Sequence, residues 1–439
     1  MPDYRIACAT FNGQLAAGHA LDEAAEYIGA WLAPASAAGS RGEAERMDED
    51  EREGVPDLVA VGLQEMMPLH LALAGLSGST LDAHDQKLRQ AIDSLYTAPS
   101  AGSAAENGAA GGKVRYSLVG RQAVGAIALL VYARDDTVAP QVKDVQINTV
   151  GCGVLGLVGN KGAVGIRVTL RPDGSSRADD GDDDARGDSS WTFVSAHFAA
   201  HQDEDEARSN DWRNVVRRLV LQDGSRETQL FDTGHLFFCG DLNYRISLTS
   251  PTRLDRKAVS DDVGQLARSP SDAPPSPRLL AQDQLRQEQQ RGVTLHHLRE
   301  GEITFPPTYK YKPGSRDELS SKRVPGWCDR VLYASAAGEE VDVASYTSVM
   351  DFTRSDHKPV SAHFVIPASS VPGRIAAAAP FGIDPAWRLK QLLGLVLDRL
   401  VGGVWTLIML AGFNRDLRLG LVNISIVTLT LIYSRHRFF

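Results

Sequence analysis

Up to residue 366 the chain is punctuated by short apolar runs, each bounded by glycine, proline or polar clusters. Runs of that length, rich in β-branched and aromatic residues, read as buried strands. They fall at 4–10, 58–63, 116–119, 126–133, 163–170, 191–197, 236–239, 330–334 and 360–365. Between some of them apolar residues recur at helical spacing, at 21–32, 86–95 and 211–221, which predicts amphipathic helices. Strand and helix patterns interleaved in this way predict an α/β fold class. Ala/Gly/Ser-rich stretches at 34–54 and 98–112, an acidic one at 172–190, and a segment near 262–278 that turns Pro-rich read as flexible insertions.

The pattern changes near residue 371. A linker over 369–387 leads into the most apolar part of the chain, where 400–413 and 419–433 contain no charged residue. Each is shorter than the roughly 20 apolar residues of a standard membrane span. The first extends back to Leu389 only by including Asp398 and Arg399, which are costly in hydrocarbon. A pair of core helices is the alternative, but neither stretch offers a polar face to water. The expectation is therefore a C-terminal hydrophobic helical tail, a membrane-anchor hairpin over 388–439 that spans twice or dips into one leaflet. Arg388 and Lys390 precede its two apolar stretches and Arg435 and Arg437 follow them, which places both flanks in the cytosol by the positive-inside tendency. A chain ending near Val371 is then expected to leave the membrane and keep its catalytic rate.

Charge and cysteine usage narrow the class. A net charge of −9 argues against a nucleic-acid partner, which calls for a basic surface. Cys8, Cys152, Cys239 and Cys328 are far apart and form no CxxC pair, so they read as reduced thiols of a cytosol-facing protein. The N-terminus has no signal-peptide core and enters a strand directly.

Candidate chemistry sits at the ends of the predicted strands. Phe237–Arg245 (FFCGDLNYR) is an apolar run followed by Asp241, Asn243 and Arg245 at alternate positions. These share one face if the extended chain continues past Gly240, and they suit water activation and phosphate binding. A turn closed by Asx hydrogen bonds is the plainer alternative. Asn12 follows the first strand and is by itself a common turn former. Glu65 follows the second strand, and its hard oxygens suit Mg²⁺, unless it is only an exposed acid at a helix start. GNKG at 159–162 lacks the ending of a phosphate-binding loop and reads as a tight turn before a strand. His197 ends another strand as a candidate phosphate-oxygen donor, whereas His201 reads as structural. Tyr309 and Lys310 lie in PPTYKY, and Lys322 and Arg323 shortly precede PGWCDR, which carries Asp329. Asp356 and His357 stand just before the last strand.

In order the chain gives FN, QE, SAHFAAH, GDLNYR, PPTYKY, PGWCDR and SDHKPV. This ordered set resembles the inositol polyphosphate 5-phosphatase family, within the wider DNase I-like group of metal-dependent phosphoesterases, over roughly residues 4–366. The opening FNGQ lacks the Trp that usually precedes the Asn, and Asp211 stands where the usual Arg-Asn pair is displaced. The resemblance implies a four-layer α/β/β/α sandwich, here a catalytic domain over 1–368. It also implies a Mg²⁺-dependent phosphatase that acts on the 5-phosphate of phosphatidylinositol 4,5-bisphosphate. On that reading Glu65 and Asn12 hold the metal, and Asp241 is the general base that orients water. Asn243 holds that water or a phosphate oxygen. His197 and His357 donate to the transferring group, Asp329 orients His357, and Asp356 supports the metal region. Arg245, Tyr309, Lys310, Lys322 and Arg323 are the substrate-binding candidates, since a 4-phosphate carries about two charges near neutrality. Some fungal relatives are tail-anchored on the endoplasmic reticulum, the organelle expected here.

Two other functions fit parts of the pattern. A sphingomyelinase-like or nuclease phosphodiesterase of the same group would share GDLN and SDH, but choline-phosphate chemistry has no use for PPTYKY with Lys322 and Arg323. A non-catalytic phosphoinositide-binding protein would have little use for the filled polar set from Asn12 to His357.

Overall fold

The computed structural model describes residues 3–14, 29, 31–32, 54–96, 114–171, 187–248, 255–269, 274–371, 373–412, 418, 420–425 and 428. Two six-stranded sheets lie face to face. The first runs β13 (Asp342–Ser348), β14 (Val360–Ile366), β1 (Tyr4–Asn12), β2 (Leu58–Gln64), β4 (Ile127–Arg134), β3 (Tyr116–Val124). The second runs β11 (Arg299–Glu300), β12 (Asp329–Ser335), β10 (His235–Asp241), β7 (Ser189–His197), β6 (Gly162–Leu170), β5 (Val142–Gly151).

The central strands are buried on both faces, which explains their near-continuous apolar runs. In β1, Ile6 and Cys8 point into the layer between the sheets, where they meet Val168, Phe193, Phe237 and Cys239. Ala7, Ala9 and Phe11 point the other way, toward α2 (Gly78–Leu95). On the far side, α3 (Asp205–Arg218) seats Trp212, Val215 and Val216 against Val194, Ala196 and Phe238. The result is the four-layer α/β/β/α sandwich.

Each predicted strand is present, several of them longer than the apolar run that signalled it. The helix expected at 211–221 starts earlier, at Asp205, and stops at Arg218, because Leu221 opens the short strand β8 (Leu221–Asp223) paired with β9 (Arg226–Thr228). The insertion placed near 262–278 is partly helical. It is entered by α4 (Arg256–Arg268), which buries Val259, Val263 and Ala267, and it ends in α5 (Pro277–Leu280). The insertions at 34–53, 98–112 and 172–186 lie outside the described residues, as does most of the helix expected at 21–32. Trp31 of that helix is fully buried and touches Phe11 and Phe352.

The segment expected as a linker packs on the domain. Ile375, Ala379 and Phe381 lie half-buried on the α3 side of the second sheet, and Ile375 N–H donates to Thr233 O at 3.0 Å. Beyond it, α7 (Trp387–Leu410) is a 24-residue apolar helix. Most of the second apolar stretch of the tail lies outside the described residues.

Candidate active site

One rung across the second sheet assembles the polar centre. Asp241 pairs with His197 on one side and Asp329 on the other, and His197 pairs with Gly162 at the start of β6. Residues in a rung share a face, so three strand ends converge without help from loops. On the facing sheet, Asn12 pairs with Gln64 at the ends of β1 and β2, which puts Glu65 next to it. Asn12 Nδ2 donates to Asp241 Oδ2 at 2.8 Å, closing the gap between the sheets.

Asp241 is the hub. Its Oδ2 lies 3.3 Å from His197 Nε2 and 3.8 Å from His357 Nε2. Its Oδ1 accepts from Asn243 N–H at 3.0 Å. Burial alone would push the carboxyl up, but the imidazoles of His357 and His197 and the ammonium of Lys161 hold it well below the usual carboxylate range. Gly240 makes the geometry possible: at φ 147° a Cβ there would lie 1.9 Å from Ala196 O.

The extended chain does not continue past Asp241. Asn243 has φ 59°, and the Asp241–Asn243 hydrogen bond closes an Asx turn, so the turn reading of GDLN holds and the shared face of an extended strand does not. The turn directs Asn243 Nδ2 to Phe198 O at 3.0 Å and its Oδ1 to Arg245 Nη2 at 2.9 Å. Arg245 lies over the Tyr309 ring, 4.1 Å from its centroid, and Tyr309 sits 4.5 Å from the His357 ring.

His357 is oriented from behind. Its Nδ1 is 2.9 Å from Asp329 Oδ2, which also accepts from Thr308 Oγ1 at 2.6 Å. Burial opposes the imidazolium, but Asp329 and Asp241 outweigh it and raise His357 to about 9. Ser355 Oγ ties this loop to the first sheet by donating to Asn12 O at 2.8 Å while accepting from His357 N–H.

Lys161 was missed as a site residue. The tight turn predicted at GNKG exists, yet it delivers Lys161 Nζ to 2.5 Å from His197 Nε2. Burial lowers its pKa against the pull of Asp241, Glu65 and Asp211. The available signal was register: a residue just before β6 sits opposite the end of β7. Asp211 accepts from Ala199 N–H at 2.8 Å, which fixes the turn after His197.

Other expected residues lie further out. Asp356, expected near the metal, is instead ion-paired with Lys310, expected on the substrate. Lys310 Nζ also lies 5.1 Å from the Tyr309 ring. Lys322 and Arg323 are exposed, on a loop that bridges back to Tyr309 through Gly326.

A hard divalent cation fits the donors present. Glu65 is 28% exposed at the mouth, 4.0 Å from His197 Nε2. Among the described residues, Asn12 Oδ1 accepts from Gln14 N–H at 3.0 Å, and a carbonyl oxygen has a second lone pair to offer. Donor atoms of Asp241, Asp329 and His357 also lie within 4.8 Å of one another. In that trio Asp329 and His357 are bonded to each other, which favours an acid–base pair over a ligand set.

Comparison with known proteins bears on this geometry. The model of endonuclease/exonuclease/phosphatase family 2 matches residues 10–363. The type II inositol 1,4,5-trisphosphate 5-phosphatase of Mus musculus is 35% identical over 245 residues, 55% of this chain and 21% of that protein. Synaptojanin of Caenorhabditis elegans is 29% identical over 332 residues, 75% of this chain and 25% of the relative. The chain thus spans only 21% and 25% of the length of these two curated relatives. Among solved structures, the inositol polyphosphate 5-phosphatase domain of SPsynaptojanin, in complex with inositol (1,4)-bisphosphate and calcium ion, has the same fold. Its TM-score is 0.59 at 22% identity, over 90% of each chain. Cimex nitrophorin, as a ferrous NO complex, also superposes, with TM-score 0.52 at 18% identity over 84% of this chain and 100% of its own. Overall shape alone therefore carries no activity.

Proposed function

We propose that this chain, which belongs to endonuclease/exonuclease/phosphatase family 2, hydrolyses the 5-phosphate of phosphatidylinositol 4,5-bisphosphate at a cytosol-facing membrane. The observation that carries the reading is the Asp241 carboxylate, held ionised between two imidazoles, with the second imidazole seated on Asp329. The relative named as an inositol 1,4,5-trisphosphate 5-phosphatase supports the substrate class.

Phosphoryl transfer to water needs positioning and charge more than covalent chemistry. Asp241 orients the attacking water and takes its proton late, since a carboxylate with a depressed pKa is a weak base. Asn243 holds Arg245 and the turn in place. His357, protonated at neutral pH, donates to a phosphoryl oxygen, and Lys161 brings a cation to His197 on the other side. Glu65 and Asn12 would hold Mg²⁺, which supplies positive charge to the phosphate and leaving-group oxygens when bound. Tyr309, Lys310, Lys322 and Arg323 line the approach for a 4-phosphate. Lys310 must exchange Asp356 for that phosphate, which makes the contact selective for a dianionic group. The 388–439 segment holds the enzyme to the membrane, and the endoplasmic reticulum is the organelle we assign.

The test is a panel of phosphatidylinositol 4,5-bisphosphate, the 5-monophosphate and sphingomyelin, each with Mg²⁺ and then with chelator. Metal-dependent phosphate release from the bisphosphate is expected. Choline release, or no turnover at all, would overturn the reading. Lys310→Ala should raise KM for the bisphosphate about tenfold and leave the monophosphate nearly unchanged. Equal effects on both would remove the 4-phosphate from Lys310.

A further inference from the structure

The helix α7 is docked on the catalytic domain along most of its length. Trp387, Gly394, Asp398 and Gly402 are its buried residues, a spacing that makes one stripe down a helix. Asp398 Oδ1 accepts from Gly159 N–H at 2.9 Å, Arg399 Nη1 donates to Leu73 O at 2.8 Å, and Thr406 Oγ1 donates to His70 O at 3.3 Å. The two glycines permit the approach. A Cβ on Gly394 would lie 2.6 Å from Leu157 O, and one on Gly402 would lie 2.2 Å from Ala74 N.

The first turns of α7 rest on Asn148 and Thr149 of β5 and on Glu227 of β9, and its contacts from Gly394 onward fall on two segments. One runs from Glu65 into α1 (Leu69–Leu73), and the other is the turn that ends in Lys161. Both adjoin the mouth of the site. The opposite face of α7 is apolar and open: Leu389, Leu393, Val396, Leu400, Leu407 and Leu410 are all exposed. Leu76 and Leu155 are exposed on the same two segments, Leu155 at 80%.

We propose that α7 is an in-plane membrane helix. It stays docked on the segments that carry Glu65 and Lys161 and buries its open face in the hydrocarbon boundary, so that the bilayer surface meets the mouth of the site. Three observations select this occupant and this orientation. A docked α7 cannot cross the bilayer, because the loops it lies on would follow it into hydrocarbon with their backbone groups. An undocked α7 would carry Asp398 and Arg399 into the membrane, stripped of the partners they have here. The next stretch, 419–433, is again free of charge, which suits lipid rather than a soluble partner. A helix with one polar face satisfied by protein and one apolar face open lies at an interface. The inference rests on the membrane-phosphatase reading above and specifies how that site meets its substrate.

The test uses the full chain in phosphatidylcholine vesicles containing phosphatidylinositol 4,5-bisphosphate. A fluorophore is placed by Leu392→Cys, Leu400→Cys or Leu407→Cys, and quenchers are carried at set depths on the lipid chains. An in-plane helix gives all three probes the same shallow depth. Depth that varies along the helix, with the probe at 400 at the bilayer centre, means α7 spans and overturns the proposal. So does a lack of quenching, with the chain dimeric in solution instead. In a second arm, Gly402→Leu blocks docking: the shallow, uniform depth should be lost and activity on lipid vesicles should fall about tenfold more than on a short-chain soluble substrate. Equal losses on both would also overturn it. Because depth is read without turnover, a shallow helix on an inactive chain would sink the phosphatase reading alone. An active chain with a spanning helix would sink this inference alone.

Discussion

Asp241 sits where several polar groups need it, so its replacement separates binding from chemistry. Asp241→Asn keeps the shape and one of the two hydrogen bonds that Asp241 accepts from Asn12 and Asn243, but it cannot take a proton or help hold His357 charged. Turnover should fall by about 10³-fold or more with substrate affinity largely kept; near-normal turnover would remove Asp241 from the centre. His357 supplies a pH dependence with a definite sign. Its pKa is raised to about 9, so it donates a proton below that value, and the rate falls as pH rises through 9. Asp329→Asn removes the first support of that shift, and the alkaline limb should move acidward by about a unit or more. A limb that stays put in the Asp329 variant would assign it to another group. The same residue scale shows what the sequence conceals. Asp241, His357, Asp329 and Asn12 were legible because each stands at a strand end within a short motif. Lys161 was not, because its nearest motif lacks a phosphate-loop ending and its partner His197 is 36 residues away.

Strands carry a second pH dependence, unrelated to catalysis. His235 on β10 and His363 on β14 are buried, and burial lowers them to about 3 and about 4 from 6.5. The folded chain keeps them neutral while the unfolded chain protonates them near 6.5. Their contribution to stability is therefore present above that pH and lost as pH falls below it. At pH 5 the loss is about 2 kcal/mol each. Urea unfolding at pH 7 and pH 5 should show it, and a His235→Gln, His363→Gln chain should lose about 4 kcal/mol less on acidification than the wild type. Equal losses would place the acid sensitivity in the carboxylates. The strand scale also marks where sequence reading stops. Central strands were legible from their apolar runs, but β5 and β13 were not. Both lie at sheet edges and leave polar residues such as Lys143, Asp144 and Asp342 exposed, so neither needs an apolar run. The helix α4 is hidden for a related reason: its buried apolar side chains are only Val259, Val263 and Ala267, and the last two fall within the stretch that the neighbouring prolines mark as an insertion.

For the whole molecule, the boundary between the sandwich and the apolar tail is the point at which sequence and structure differ most. Composition placed it near Val371, where apolar strands end and small residues begin. The fold places it later, because 373–386 covers the α3 side of the second sheet. Gln229 Nε2 donates to Phe381 O at 2.7 Å and Asp384 N–H donates to Arg217 O at 2.9 Å. The Phe381 ring lies 5.1 Å from the Arg213 guanidinium and 5.4 Å from the His296 ring. Ile375, Ala379 and Phe381 are only half-buried, so together they contribute about 2–3 kcal/mol by area. Two truncations read this directly. A chain ending at 386 and a chain ending at 371 should both remain in the supernatant when lipid vesicles are pelleted, since neither carries α7. The shorter one should melt several degrees lower, at about 2–4 °C per kcal/mol for a domain of this size, and lose more of its rate on a short-chain substrate. Identical melting of the two chains would make 373–386 a passive linker after all. Pelleting of either chain with vesicles would show that the membrane contact does not reside in α7 and the residues beyond it.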